Sequence, residues 1–402
     1  MTREELDNKY IKLLLERCLN FNKSNKLFIN YTKEIKDFIL KIQDYCKDKN
    51  IEIYLDEDNP EKIKETLEKL SLEEIKECPL FNKSIWDEYA KENASFLMLD
   101  TETPGLMDNI DPKKISLAGK LRRETRPIFR EKEGRNEISW CIAAYPGQKW
   151  AESIFPNDKD AYDKLYNVIG KMCMLDKDNP IDSWNNYLEE SNILIDKLNN
   201  LKITKMHYTN SKGTDLYITL PDNHIWVGAG NTPNMLVNMP SYEIFTSPDY
   251  RYTEGIVYNA KPLIYNGTTI DNFSITFKEG KAVSCTADKG KEVLQGIIES
   301  DNQSCYLGEV SLINYDSPIS NTGLIFGTTL FDENASCHLA LGDSFPECIE
   351  NGLSKSKKEL FELGLNDSKT HVDFMMGTKD LNITAETNKG TLEIFKDGNF
   401  NI

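Results

Sequence analysis

The chain has 402 residues, a length that suits two domains of ordinary size better than one. Hydrophobic side chains make up 39% and charged ones 28%, a globular balance that excludes a disordered chain. Acidic side chains (65) outnumber basic ones (48), and the net charge of −17 repels phosphate backbones and anionic membrane surfaces, so neither nucleic acid nor membrane is an expected partner.

The N-terminal run MTREELDNKYIKLLLERCL opens with charges and reads as an amphipathic helix. It lacks the apolar core and small-residue cleavage site of a signal peptide. No apolar run reaches the ~18 residues of a membrane span. The nine cysteines are odd in number and form no CxxC pair. That argues against a disulfide framework and for a reducing compartment, and cytoplasm is the expected location.

In the first half, short apolar or β-branched runs alternate with charged helical stretches. Strands are expected at Lys26–Tyr31, Ile51–Leu55, Ser95–Leu99 and Ile138–Ala144. Helices are expected at Glu34–Cys46, Pro60–Leu70, Asp158–Met174 and Asp182–Leu198, with Asn59 and Pro60 as a helix start. This alternation predicts an α/β domain with a mainly parallel sheet. Near residue 200 the texture changes. Strand-like segments dominate at Ile203–Tyr208, Asp215–Thr219, Ser274–Lys278, Lys281–Thr286, Asn382–Glu386 and Thr391–Lys396. Lys278-Glu279-Gly280-Lys281 reads as a hairpin turn. Helices at about Lys289–Ser300 and Lys355–Leu363 interrupt the strands. The expected division is therefore 1–198, an N-terminal α/β domain, and 199–402, an α+β, strand-rich domain.

All four histidines, at 207, 224, 338 and 371, fall in the second half. His371 lies in THVDFMMGT, where an extended chain points His371 and Asp373 to one face and Val372 and Phe374 to the other. An imidazole and a carboxylate so placed can bind a common metal, although HxD alone is more often a surface pair. His338 lies in FDENASCHLALG, a few residues after Asp332 and Glu333. Taken alone it reads as a core histidine bonded to a carbonyl, and the cluster at 371–373 shifts that balance. Glu243 and Glu309 each sit among apolar neighbours, where a buried carboxylate needs either a basic partner or a metal ion.

Glu243, Glu309, Glu333, His338, His371 and Asp373 thus form a pool of candidate ligands. Mixed imidazole and carboxylate donors suit zinc, cobalt or manganese better than calcium. A carboxylate can also bridge two metals roughly 3.5–4 Å apart, which then share an activated water. His207 and His224 read as structural hydrogen-bonding histidines. Cys337 adjoins His338, but adjacent side chains point apart, so a buried thiol is the better reading than a nucleophile. Trp150, in QKWAESIFP, reads as a packing anchor between domains.

At these residues the sequence resembles the M29 family of metallopeptidases, the aminopeptidase T and aminopeptidase S type. The resemblance is carried by PSYEIFTSPDYRYTEGIV (240–257), LGEVSLI (307–313), LFDENASCHLALG (330–342) and KTHVDFMMG (369–377). GTDLYITL (213–220), KPLIYNG (261–267) and QKWAESIFP (148–156) support it. The resemblance implies that Glu243, Glu309, His338, His371 and Asp373 are metal ligands. Glu333 matches a further acidic position, as ligand or general base. It also implies an aminopeptidase acting on peptide substrates, two divalent metal ions, a homodimer, and a catalytic domain in the second half. Zinc or cobalt is the first expectation, manganese or magnesium the next. Glu309 is expected to bridge the metals, with Glu333 or Glu309 as the base that takes a proton from a shared water.

Two positions depart from the family pattern. Phe345 stands where the family has tyrosine, and Tyr242 where it commonly has glycine. Three other readings stay open. The chain can be a catalytically impaired homologue that binds peptide or metal, a possibility that Phe345 favours. It can be a metal-dependent amide hydrolase of a small non-peptide substrate. The third, a nucleotide-binding α/β protein, rests only on GAGN (228–231), which lacks a full glycine-rich phosphate-loop pattern.

Overall fold

A computed structural model describes residues 1–21, 25–101, 103–229, 235–265 and 267–402. The chain forms two compact units. The first comprises Met1–Asn185, Thr232–Ser241 and Asn266–Thr268; the second comprises Asn186–Asn231, Tyr242–Tyr265 and Thr269–Ile402.

The first unit is built on a five-stranded sheet. Its order across the sheet is Glu52–Asp58, Lys26–Thr32, Ser95–Asp100, Trp140–Ala144 and Asn238–Met239. All four pairings are parallel, as the alternation of strand and helix requires. Parallel strands covered on both faces carry near-continuous apolar runs. Leu27, Phe28, Ile29, Phe96 and Leu97 are accordingly buried. Phe28, Phe96, Trp86 and Phe129 form one aromatic cluster against the sheet. The helix Pro60–Lys69 starts as its sequence predicts, with the Asn59 side chain accepting the Lys62 N–H at 2.9 Å and proline in the first turn. The N-terminal helix Arg3–Lys12 is fixed by buried Asp7, which accepts hydrogen bonds from Tyr145, Tyr166 and Lys41. Trp150 is fully buried on the helix Gln148–Ile154.

The second unit carries an eight-stranded sheet and a five-stranded sheet. The strand pairings of the larger one are antiparallel. The turn at 278–281 is a two-residue hairpin with Lys278 opposite Lys281. Both central residues have positive φ, 50° at Glu279 and 78° at Gly280. That is the turn geometry that matches strand twist. A β-carbon at residue 280 would lie 2.0 Å from the Tyr250 carbonyl oxygen, so glycine is required there. The five-stranded sheet runs His371–Met375, His338–Gly342, Leu307–Leu312, Ile244–Thr246 and Val227–Gly228, all antiparallel.

The fold is therefore mixed α/β, a parallel sheet followed by antiparallel, strand-rich sheets. Among the described residues no helix is long and apolar enough to cross a membrane. All nine cysteines are free.

Asp100 ends the central strand of the parallel sheet, and burial pushes its carboxyl up to about 6. A carboxyl with a folded pKa above its unfolded value near 3.9 loses stabilising protonation as pH rises from about 4 to about 6. Asp100→Asn is expected to raise the thermal midpoint at pH 8 and to leave it unchanged at pH 4. Equal midpoints for the two proteins at pH 8 would show that the carboxylate is better solvated than its surroundings suggest.

Candidate metal centre

The five-stranded sheet of the second unit has two unlike faces. One is apolar: Leu339 and Leu341, Val310 and Leu312, and Val372 and Phe374 belong to the core. The other collects the candidate ligands. Strict alternation along His338-Leu339-Ala340-Leu341-Gly342 and along His371-Val372-Asp373-Phe374 puts His338, His371 and Asp373 on that second face.

Glu309 reaches the same face by a different route. Leu307 is paired with Leu341, but Glu309 is paired with Ala340, so the strand holds one extra residue at Gly308. In a regular strand Glu309 would follow Leu307 onto the apolar face. The bulge turns it over. Only glycine fits there, because a β-carbon on residue 308 would lie 2.1 Å from the Asp343 carbonyl oxygen and 2.5 Å from that of Gly342. Ala340 lies between Glu309 and Asp373 in register, and its small side chain leaves room above the middle strand.

Glu243 immediately precedes the strand Ile244–Thr246, and its Oε2 accepts from the Ser311 hydroxyl at 3.4 Å. The chain before it is tied by the Tyr242 N–H, which donates to Asn334 Oδ1 at 2.8 Å. Tyr242 is buried, its ring edge-on to Tyr187 and its carbonyl accepting the Tyr187 hydroxyl at 3.1 Å.

These elements bring five of the six predicted residues into two groups of donors. Glu243, Glu309 and His338 form one, and Glu309, His371 and Asp373 form the other. His338 Nε2 lies 3.3 Å from Glu243 Oε2 and 3.8 Å from Glu309 Oε1. His371 Nε2 lies 3.0 Å from Glu309 Oε2 and 3.2 Å from Asp373 Oδ1. Glu309 thus presents one oxygen to each imidazole.

Both rings are oriented from behind by backbone carbonyls. His338 Nδ1 is 2.9 Å from the Glu333 carbonyl oxygen, and His371 Nδ1 is 2.8 Å from that of Asp343. Nδ1–H therefore donates, and Nε2, the position that takes either a proton or a cation, faces the carboxylates. Burial opposes charge on both imidazoles, yet the facing carboxylates raise both well above the usual histidine range. Burial likewise pushes Glu309 up, but the two imidazoles more than reverse this and bring it to about 2. Burial keeps Glu243 raised despite His338.

A divalent cation suits this donor set. Asp373 Oδ1 is buried and makes no hydrogen bond, its 3.2 Å approach to His371 lacking hydrogen-bond geometry. A buried carboxylate oxygen in this position needs a positive partner, either the protonated His371 or a cation in place of that proton.

Glu333 belongs to neither group. It ends the short helix Thr329–Glu333 and is buried, with Oε1 accepting from Asn334 Nδ2 at 3.4 Å. Burial, then Asp373 and Glu243, raise its carboxyl well above the ordinary range. Asn334 and Glu347 escaped the sequence reading, and Asp332, named there only as an acid ahead of His338, has a structural part. Asn334 ties Glu333 to the Glu243 segment. Asp332 accepts the N–H groups of Phe326 and Gly327 at 2.9 and 2.8 Å and so holds the entry to that helix. Glu347 is pushed up by burial, and Glu309 adds to the effect. Asp332 and Asn334 stand in the FDEN run itself; Asp332 bonds backbone groups five and six residues before it, whereas the Asn334 partner Tyr242 is distant in sequence.

The remaining candidates take structural places. His207 pairs with Asp215 at 2.7 Å and stacks on Tyr217. His224 is buried, with Nδ1 2.7 Å from the Pro221 carbonyl oxygen. The buried Cys337 thiol donates to the Ile313 carbonyl, and burial pushes it up to about 12. Gly228 ends a strand, while Gly230 and Asn231 of the GAGN run lie outside the described residues.

Sheet, donor groups and oriented imidazoles together define an α/β metalloprotein with a carboxylate–imidazole centre suited to divalent cations. Its lineage is explicit in the sequence: the chain belongs to the thermophilic metalloprotease (M29) family, whose model matches residues 3–400. It is 36% identical over 403 residues to aminopeptidase AmpS of Bacillus subtilis (strain 168), covering 98% of each chain. It is 36% identical over 405 residues to aminopeptidase 2 of Geobacillus stearothermophilus, covering 99% of this chain and 98% of the other. The fold superimposes on wild-type AmpT from Thermus thermophilus with a TM-score of 0.88 at 25% identity, over 100% of both chains.

The bulge supplies a stability test with an internal control. Gly308→Ala is expected to cost more than about 2 kcal/mol in urea unfolding, since a β-carbon there meets two carbonyl oxygens. Gly296→Ala lies on an exposed helical face with nothing within 4 Å and is expected to stabilise by about 0.5–1 kcal/mol. A neutral Gly308→Ala would contradict the close approach at the bulge.

Proposed function

We propose that this chain is a metal-dependent aminopeptidase that releases N-terminal residues from peptides, with its catalytic domain in residues 199–402. The observation that carries this reading is the division of Glu309 between His338 and His371, one oxygen to each. Membership of the metalloprotease family and the aminopeptidase names of the relatives support it.

Glu243, Glu309 and His338 would hold one divalent cation, and Glu309, His371 and Asp373 a second. Zinc or cobalt suits these donors best, with manganese or magnesium next. Bound cations would polarise the first peptide carbonyl and acidify a water. Glu309 keeps the two groups in register and stays ionised, because both imidazoles face it. Glu333, raised well above the ordinary carboxyl range, takes the proton of the attacking water and returns it to the departing amine. Glu309 is the alternative base. The free α-amine of the substrate would be held by a bound cation or by one of the site's carboxylates. An internal peptide bond offers no such group.

A homodimer is proposed on the family resemblance, and a cytoplasmic location on the free cysteines. A second reading, an impaired homologue, is favoured by one observation. The Phe345 ring lies 4.8 Å from that of His371 and brings no oxygen to the site.

Chelator-stripped protein reloaded with zinc, cobalt, manganese or magnesium is expected to release single residues from free-amino peptides and none from N-acetylated ones. No turnover with any metal, in protein that binds the metal stoichiometrically, would favour the impaired homologue. Glu309→Gln is expected to lower turnover by roughly 10²–10³-fold or more with an unchanged circular dichroism spectrum. Wild-type rates in Glu309→Gln would sink the assignment of the bridging role.

A further inference from the structure

Beside the donor groups the same sheet face becomes apolar. Ser311 is opposite His338 on one side and Phe245 on the other, and Phe245 is opposite Val227. Residues opposite one another share a face. A single cross-strand row therefore runs Val227, Phe245, Ser311, His338, from apolar edge to metal ligand. Phe345 meets this row from the loop after the strand His338–Gly342. Its ring stands edge-on to Phe245 at 5.4 Å and tilted over His371 at 4.8 Å. The Phe345 N–H donates to Ser247 Oγ at 3.0 Å, which fixes the loop. Both phenylalanines are only partly buried. Core packing does not consume them, as it does Phe374 on the opposite face of the sheet.

We propose that Phe245 and Phe345 form the wall that receives the side chain of the substrate's N-terminal residue, and that they select an apolar one. This rests on the aminopeptidase reading. The scissile carbonyl and the α-amine both belong to the first residue, so both must lie at the donor groups. The side chain leaves from the carbon between them and has to lie beside that cluster. Beside the donors it meets the Phe245 and Phe345 rings, and the Glu243 carboxylate, held by Ser311, adds a negative charge at the near end of the row. An apolar side chain gains there by leaving water, whereas a carboxylate would lose its hydration without a partner.

The test is a panel of X-Gly-Gly peptides, with X as Leu, Phe, Met, Ala, Gly and Asp, on the zinc-loaded full chain. Binding of the matching amino-acid hydroxamates is measured in parallel by calorimetry. The wild type is expected to favour Leu, Phe and Met over Gly and Asp by at least about 10-fold in kcat/KM and in Kd. Phe245→Ala and Phe345→Ala are expected to reduce the Leu-to-Gly ratio by about 10-fold, and Phe245→Leu to retain most of it. A flat wild-type ranking overturns the proposal, and this needs no variant to fold. A ratio unchanged in both alanine variants also overturns it. If no peptide is cleaved while the hydroxamates still rank by apolar size, the wall stands and the aminopeptidase reading falls.

Discussion

The site depends on keeping one carboxylate, Glu309, ionised inside a sheet. Burial alone would drive it to the neutral form at a cost of several kcal/mol. Two imidazoles, one at each oxygen, reverse this and leave it ionised down to about pH 2. The strand must also present Glu309 on the face opposite Leu307, two positions earlier, which a regular strand cannot do. The Gly308 bulge resolves that conflict, and the contacts at residue 308 explain why nothing larger than glycine sits there. Ala340 on the neighbouring strand serves the same end, since a bulkier residue between Glu309 and Asp373 would fill the space over which the donors converge.

The apolar face makes this arrangement rigid. Leu339, Leu341, Val310, Val372 and Phe374 pack into the core directly beneath the donors. Most of the candidate ligands therefore stand on paired strands and inherit their precision. Glu333, outside both donor groups, is carried on a short helix. It is steadied by Asn334 and by the Asp332 carboxylate on the loop ahead of it.

Much of this was legible in the sequence, and the unread parts have identifiable causes. Strands at 215–219, 274–278 and 281–286 fall where alternation and turn residues put them. The same-face relation of His371 and Asp373 follows directly from a period of two. The chain around Glu309 gave no such signal, because the bulge breaks the alternation between Leu307 and Val310. Burial of Glu309 was readable from its neighbours, but its direction was not. Asn334 and Asp332 act through backbone groups, which no composition or spacing reveals. Phe245 was invisible for a similar reason. It lies two residues from Glu243, but its meeting with Phe345 closes a loop across 100 residues of chain.

The backbone bonds to the two rings have a further consequence. Each imidazole has spent its Nδ1–H on a carbonyl oxygen, so each has a single lone pair left, at Nε2. A proton and a cation must compete for that lone pair. The carboxylates that attract a cation also strengthen the proton's hold. Acidification and metal loading are thus opposite sides of one exchange, and loading the centre is inseparable from expelling protons from it.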